Sequence, residues 1–75
     1  QSLEEVTLQD ACTFVGKTLK EAAIRSEMGI TVLAIRRGEK LISNPSADEK
    51  LQKQDILIIY GEKEVSETFK KKCQG

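Results

Sequence analysis

Along the chain, apolar and polar positions change period several times, and each change predicts an element. Residues 3 to 9, Leu-Glu-Glu-Val-Thr-Leu-Gln, place Val6 and Leu8 on alternate positions, the signature of a half-exposed strand. Asp10 to Val15 forms a connection. From Thr18 to Met28, Leu19, Ala22, Ala23 and Ile24 fall at helical spacing, with Lys20, Glu21, Arg25 and Glu27 on a polar face. One helix of about three turns is expected there, closed by Gly29 in the left-handed conformation.

The run Ile30 to Ile35 is β-branched and apolar on both faces, as in a strand covered on both sides. Arg36-Arg37-Gly38-Glu39 is expected to turn the chain into a returning strand, Lys40 to Ser43. Asn44-Pro45-Ser46 breaks that strand, because proline brings no N–H to a ladder. Ser46-Ala47-Asp48-Glu49 has the spacing of a second, very short helix. Asp55 to Tyr60 is another strand apolar on both faces, closed by Gly61. Glu62 to Lys72 is expected to be a terminal helix with Val65 and Phe69 inward and Lys70, Lys71 and Lys72 at its cation-tolerant end.

The predicted order is strand, helix, strand, strand, short turn, strand, helix. It corresponds to an α+β fold, a small and mostly antiparallel β-sheet with helices packed on one face. Two strands apolar on both sides need two covers, and the helices supply one. A homodimer is expected to supply the other. An ACT-like βαββαβ arrangement is a rival for the same composition, which the Pro45 break fits poorly.

Composition narrows the chemistry. Seventy-five residues make one domain at most, near the size at which a core is marginal alone. Twelve basic and twelve acidic residues cancel, so no net field draws in nucleic acid or an anionic membrane. No nucleic-acid partner is expected, and no membrane insertion, since no apolar run approaches the roughly 20 residues that span a bilayer. With no histidine and two distant cysteines, Cys12 and Cys73, a metal site lacks ligands. Reduced thiols are expected for these cysteines in a cytoplasmic protein.

Gly16-Lys17-Thr18 looks like the end of a phosphate-binding loop. Such a loop needs G-x-x-x-x-G-K-[ST], and Ala11 stands at its first glycine while Thr13, Phe14 and Val15 resist positive φ. The stronger reading is a capping box, Thr18-Leu19-Lys20-Glu21, that starts the helix. Cys12 and Cys73 have no histidine base, and the carboxylate pairs Glu4-Glu5 and Asp48-Glu49 sit in solvated stretches. No catalytic residue is identified and the chain is not expected to be an enzyme. One polar cluster stands out: Arg36, Arg37, Lys40 and Asn44, beside the apolar Ile35 and Pro45. It suits the phosphates and bases of a small anionic ligand, with solvated hairpin charges as the alternative.

The ordered set Gly16-Lys17-Thr18-Leu19 with Glu21, Gly29-Ile30 leading into Val32-Leu33-Ala34-Ile35, Arg37-Gly38, Asn44-Pro45, Leu51, then Asp55 opening Ile56-Leu57-Ile58-Ile59 and Gly61, resembles the TrkA-C (RCK_C) domain. Gln54 stands where that family commonly has glycine. The resemblance covers roughly residues 14 to 64 and implies one regulatory domain over residues 1 to 75, core about 3 to 72, cut from a longer chain. It further implies a cytoplasmic homodimer whose partners are a potassium channel or transporter subunit or an RCK_N domain of the parent chain. No cofactor is required; some members bind cyclic di-AMP across the dimer interface. Carried to this chain, the ligand-binding candidates are Ile35, Arg36, Arg37, Asn44 and Pro45. A purely structural dimerisation module without a ligand is the alternative.

Overall fold

The computed structural model describes residues 1–74. Four strands and three helices follow in the order β1 (Ser2–Thr7), α1 (Leu19–Ala22), α2 (Ile24–Met28), β2 (Thr31–Arg37), β3 (Lys40–Ser43), β4 (Ile56–Gly61) and α3 (Lys63–Gln74). The strands form one antiparallel sheet in the order β1-β4-β2-β3. The α+β fold with helices on one face is therefore as expected.

Alternation along the strands sorts the side chains onto two faces. Val6, Leu57, Ile59 and Ile35 point to one side, where they join Leu8, Phe14, Ile24, Ile30, Leu51 and Phe69 in the buried core. Helix α3 packs on β1 and β4, and α2 on β2. Along α3, Phe69 and Cys73 are buried and Val65 is half-buried, the i, i+4, i+8 stripe that an amphipathic helix turns inward. Gly61 permits the close approach of α3: a Cβ there would meet Ile30 Cγ1 at 3.2 Å and Ser66 Oγ at 3.5 Å.

The expected three-turn helix is broken in two. Ala23 takes the left-handed conformation, φ 53° and ψ 33°, and its N–H donates to the carbonyls of Leu19 and Lys20, closing α1. The reason lies in the apolar positions: Ala22 and Ile24 are both buried, yet residues two apart point in nearly opposite directions on a continuous helix. The left-handed residue re-aims α2 so that both reach the core. Gly29 ends α2 at φ 68°, with its N–H on the Arg25 carbonyl, as its position predicts.

The start of α1 holds the predicted capping box. Glu21 N–H donates to the Thr18 hydroxyl at 3.1 Å, and Thr18 N–H to the Glu21 carboxylate at 2.9 Å. Thr18→Ala is expected to cost about 1 kcal/mol in denaturant unfolding. The Thr18 N–H, then the Thr18 hydroxyl, holds the Glu21 pKa below the usual carboxylate range. This folded-state pKa lies below the unfolded one, so the contribution is complete above the unfolded pKa and is lost as pH falls through the folded one. Stability of Glu21→Gln is accordingly expected to fall less steeply with acid than that of the parent chain.

No helix forms at Ser46 to Glu49. The segment instead lies against the start of α1, where Leu19 and Lys20 donate their N–H groups to the carbonyls of Glu49 and Ala47 at 3.0 and 2.9 Å. Gly16 and Leu51 add 2.8 Å bonds to the Leu51 and Lys17 carbonyls, around a bridge between Thr18 and Lys50. Carbonyls that serve another helix's free N–H groups cannot build a helix of their own.

The cysteines also differ from expectation. Cys12, in the connection after β1, and Cys73, near the end of α3, are joined by a disulfide with Cα atoms 4.5 Å apart. Sixty-one residues separate them in sequence, and only the fold brings them together.

Candidate functional site

A β-bulge in β2 decides which side chains can meet a ligand. Val32 pairs with Ile59 and Ala34 with Ile58, leaving Leu33 as the extra residue between them. One inserted residue reverses the alternation that follows. Ile35 and Arg37 are thereby turned to the helix-covered face, and Ala34 and Arg36 to the open one. The hairpin that follows has two residues in its turn, Gly38 and Glu39, since Arg37 pairs with Lys40. Gly38, at φ 61°, takes the first central position, where a type II′ turn requires positive φ.

The five residues singled out from sequence are consequently dispersed. Ile35 is fully buried between Leu57 and Ile42 and supports the core of the chain. Arg37 is engaged in an internal ion cluster. Its Nε and Nη2 donate to the two carboxylate oxygens of Asp55, both at 2.9 Å, Nη1 to Glu49 at 3.1 Å, and Nη2 also to the Lys50 carbonyl at 3.0 Å. Asp55 is 1% exposed and further accepts from Gln52 N–H at 2.9 Å. These hydrogen bonds, led by that to Asp55, push the Arg37 pKa still higher than is usual for arginine. With its donors committed to the protein, Arg37 is a structural tie. Arg36 crosses the open face to Glu5 at 3.4 Å.

Asn44 and Pro45 do line a concavity. A groove of about 280 Å³ runs between α1 and α2 on one side and the start of β2 and the Asn44 to Ala47 turn on the other. Leu19, Ile24, Ile30, Val32 and Pro45 give it apolar walls, and Lys20, Arg25, Thr31 and Asn44 give it polar groups. Asn44 sits at φ 49°, a left-handed conformation asparagine tolerates, with its N–H on the Leu33 carbonyl at 2.9 Å. That bond fixes the turn presenting Pro45. Two cations, an amide and apolar walls are the complement of a ligand with phosphate charge and flat apolar rings.

Lys20 and Arg25, expected only as part of the helix's polar face, would lie roughly 140° apart on a continuous helix. The left-handed Ala23 between them brings both to the groove. The signal that could have exposed them is the pair of apolar residues Ala22 and Ile24 astride Ala23, which one straight helix cannot bury.

The other surface feature is the sheet face that no helix covers. Pairing places Leu3, Tyr60 and Thr31 in one row, Glu5, Ile58, Ala34 and Ser43 in the next, and Thr7, Ile56, Arg36 and Leu41 in the third. Leu3 and Leu41 are 62% and 56% exposed, and Tyr60 is exposed as well. Thr31 belongs to this face and also lines the groove, so the two share a border. Gln54, at the family's glycine position, keeps the left-handed turn with φ 68°, held by its N–H on the Leu8 carbonyl at 2.7 Å.

Comparison with known proteins agrees with this architecture. The chain is 37% identical over 59 residues to potassium channel protein 1 of Methanocaldococcus jannaschii, an alignment covering 79% of this chain and 18% of that protein. It is 44% identical over 46 residues to the Ktr system potassium uptake protein C of Bacillus subtilis, covering 61% and 21%. The chain thus spans about a fifth of the length of these relatives. Among solved structures, the C domain of the regulator of conductance of K+ in the potassium transport protein KtrA, in complex with cyclic diadenosine monophosphate, superposes with a TM-score of 0.84 and 30% identity, covering 93% of this chain and 80% of that one. The family model of the TrkA-C domain matches residues 3–74, and the chain belongs to that family.

Proposed function

We propose that this chain is a cytoplasmic regulatory domain of a potassium or other ion channel or transporter system, and that it pairs as a homodimer and senses cyclic di-AMP. The observation that carries the reading is the groove of Lys20, Arg25, Asn44 and Pro45 at the border of an uncovered sheet face that mixes exposed Leu3, Leu41 and Tyr60 with polar residues. A second copy seated on that face overhangs the groove, and a ligand held there touches both copies. The complex of the similar KtrA domain with this nucleotide supports the choice of ligand. The phosphates are assigned to Lys20 and Arg25, and an adenine to the walls of Ile24, Ile30 and Pro45.

Regulation follows from differential affinity. A ligand that contacts both copies stabilises the arrangement in which the two grooves lie close, and shifts the population toward it by that difference in affinity. The rest of a longer parent chain reads the arrangement. The domain carries no reaction of its own in this mechanism; it reports occupancy.

Calorimetric titration with cyclic di-AMP, with ATP as the control anion, tests the reading. Saturation at one ligand per two chains, absent with ATP, is the expected result. No heat with cyclic di-AMP, from a chain that sediments as a dimer, favours the second reading, a structural dimerisation module, for which the open apolar face is the motive. In either reading Ile58→Lys, which puts a charge at the centre of the open face, is expected to convert the dimer to a monomer in sedimentation with the fold retained. A dimer unaffected by this change places the pairing surface elsewhere.

A further inference from the structure

The disulfide lies apart from both the groove and the open face. It ties the loop after β1 to the last turn of α3, at one end of the helix that covers β1 and β4. Both cysteines are almost fully buried, at 5% and 1% exposure. Apart from the bond, a short set of contacts holds that end of α3, with the buried Phe69 one turn before Cys73. Gln9 N–H donates to the Cys73 carbonyl at 2.9 Å, Thr7 N–H to the exposed Gln74 side chain at 2.8 Å, and the Phe14 and Phe69 rings meet with centroids 5.4 Å apart. One turn earlier, Lys70 reaches Glu4 at 3.6 Å, a partly exposed pair of small worth.

We propose that Cys12–Cys73 is a redox-operated clasp on α3, which when oxidised pins the final turns of the helix and when reduced lets them open while the sheet keeps its fold. The step is thiol–disulfide exchange with a small-molecule thiol of the glutathione class. One thiolate attacks a cystine sulfur, forming a mixed disulfide and releasing the other cysteine. A second thiol then resolves the mixed disulfide. The cystine gains two electrons and two protons, and the two small thiols leave joined as their own disulfide. Because both sulfurs are buried, exchange requires prior opening of the end of α3. The bond in turn suppresses that opening by closing a loop of nearly the whole domain. Redox state and helix docking are therefore coupled in both directions.

Alkylation with iodoacetamide and amide hydrogen exchange, on the 75-residue chain before and after dithiothreitol, test the clasp. Both cysteines are expected to resist alkylation until reduction. Amides of residues 66–74 are then expected to exchange roughly tenfold faster or more, while those of β2 and β4 stay protected, and the Tm to fall by roughly 10 °C or more. The Cys12→Ser/Cys73→Ser variant is expected to match the reduced chain and to ignore dithiothreitol. If that variant does not fold, the reduced parent chain still decides the matter. Ready alkylation without reductant, equal protection of α3 in both states, or loss of protection across the sheet on reduction would each overturn the proposal.

Discussion

Replacing Asp55 by alanine is expected to cost the domain about 1.5–3 kcal/mol, because it takes the buried bidentate acceptor from a guanidinium whose side chain is only 23% exposed. Arg37 makes two of its hydrogen bonds to Asp55, and the Asp55 carboxylate is out of contact with solvent. Glu49, its other anionic partner, is 3.1 Å away but partly exposed, and compensates only in part. Asp55→Ala also leaves the Gln52 N–H without its acceptor, which unties the turn before β4. A domain of this length has about 4–11 kcal/mol of stability in all, so the variant is expected to lose a sizeable share of it and to unfold at a lower urea concentration. Urea unfolding followed by circular dichroism measures the change. A loss below about 1 kcal/mol would mean that water screens the cluster as it does a surface pair. Arg37→Met with Asp55→Leu is expected to recover much of the loss, since it removes both charges together.

Removing the two cations of the groove is expected to produce the largest effect on ligand affinity. Each charge-assisted hydrogen bond to a phosphate is worth about 1.5–3 kcal/mol, so Lys20→Ala and Arg25→Ala should each weaken cyclic di-AMP binding by roughly 10-fold to 100-fold. Neither side chain has a salt-bridge partner among the described residues, so stability should change little and the affinity loss can be read directly. Arg36→Ala is the informative contrast: its guanidinium lies on the open face with Glu5, and affinity should hold unless the second copy brings it to the ligand. Arg37→Ala is expected to reduce binding only by unfolding the domain. If Lys20 and Arg25 prove dispensable while Arg36→Ala abolishes binding in a folded chain, the ligand belongs on the open face.

Much of the fold was legible before any coordinates because it rests on local pattern. The strands around Val6, Ile35 and Leu57, the capping box at Thr18 and Glu21, the left-handed Gly29, the strand break at Pro45 and the inward stripe of α3 each follow from periodicity or from one residue's backbone preferences. Of the five candidate ligand residues, Asn44 and Pro45 line the groove. The insertion of Leu33 into the pairing of β2 with β4 places Ile35 and Arg37 on the helix-covered face and Arg36 on the open one, apart from the groove. A bulge carries no local signature in an apolar run, where every residue is equally content on either face.

The sequence by itself determined roughly where the four strands and the terminal helix lie, and that the sheet presents more apolar surface than its helices cover, but not the break at Ala23 or the absence of a helix at Ser46 to Glu49. It also carried enough ordered motif to indicate the family. Only the tertiary structure decided which arginine is tied to Asp55 and which faces out, how the break at Ala23 turns Lys20 and Arg25 into one groove, and that Cys12 meets Cys73. The physical reason is range. Local elements answer to neighbours within a few residues, whereas register, helix direction and cross-linking are set by burying distant apolar groups together, and a shift of one residue reassigns every side chain beyond it.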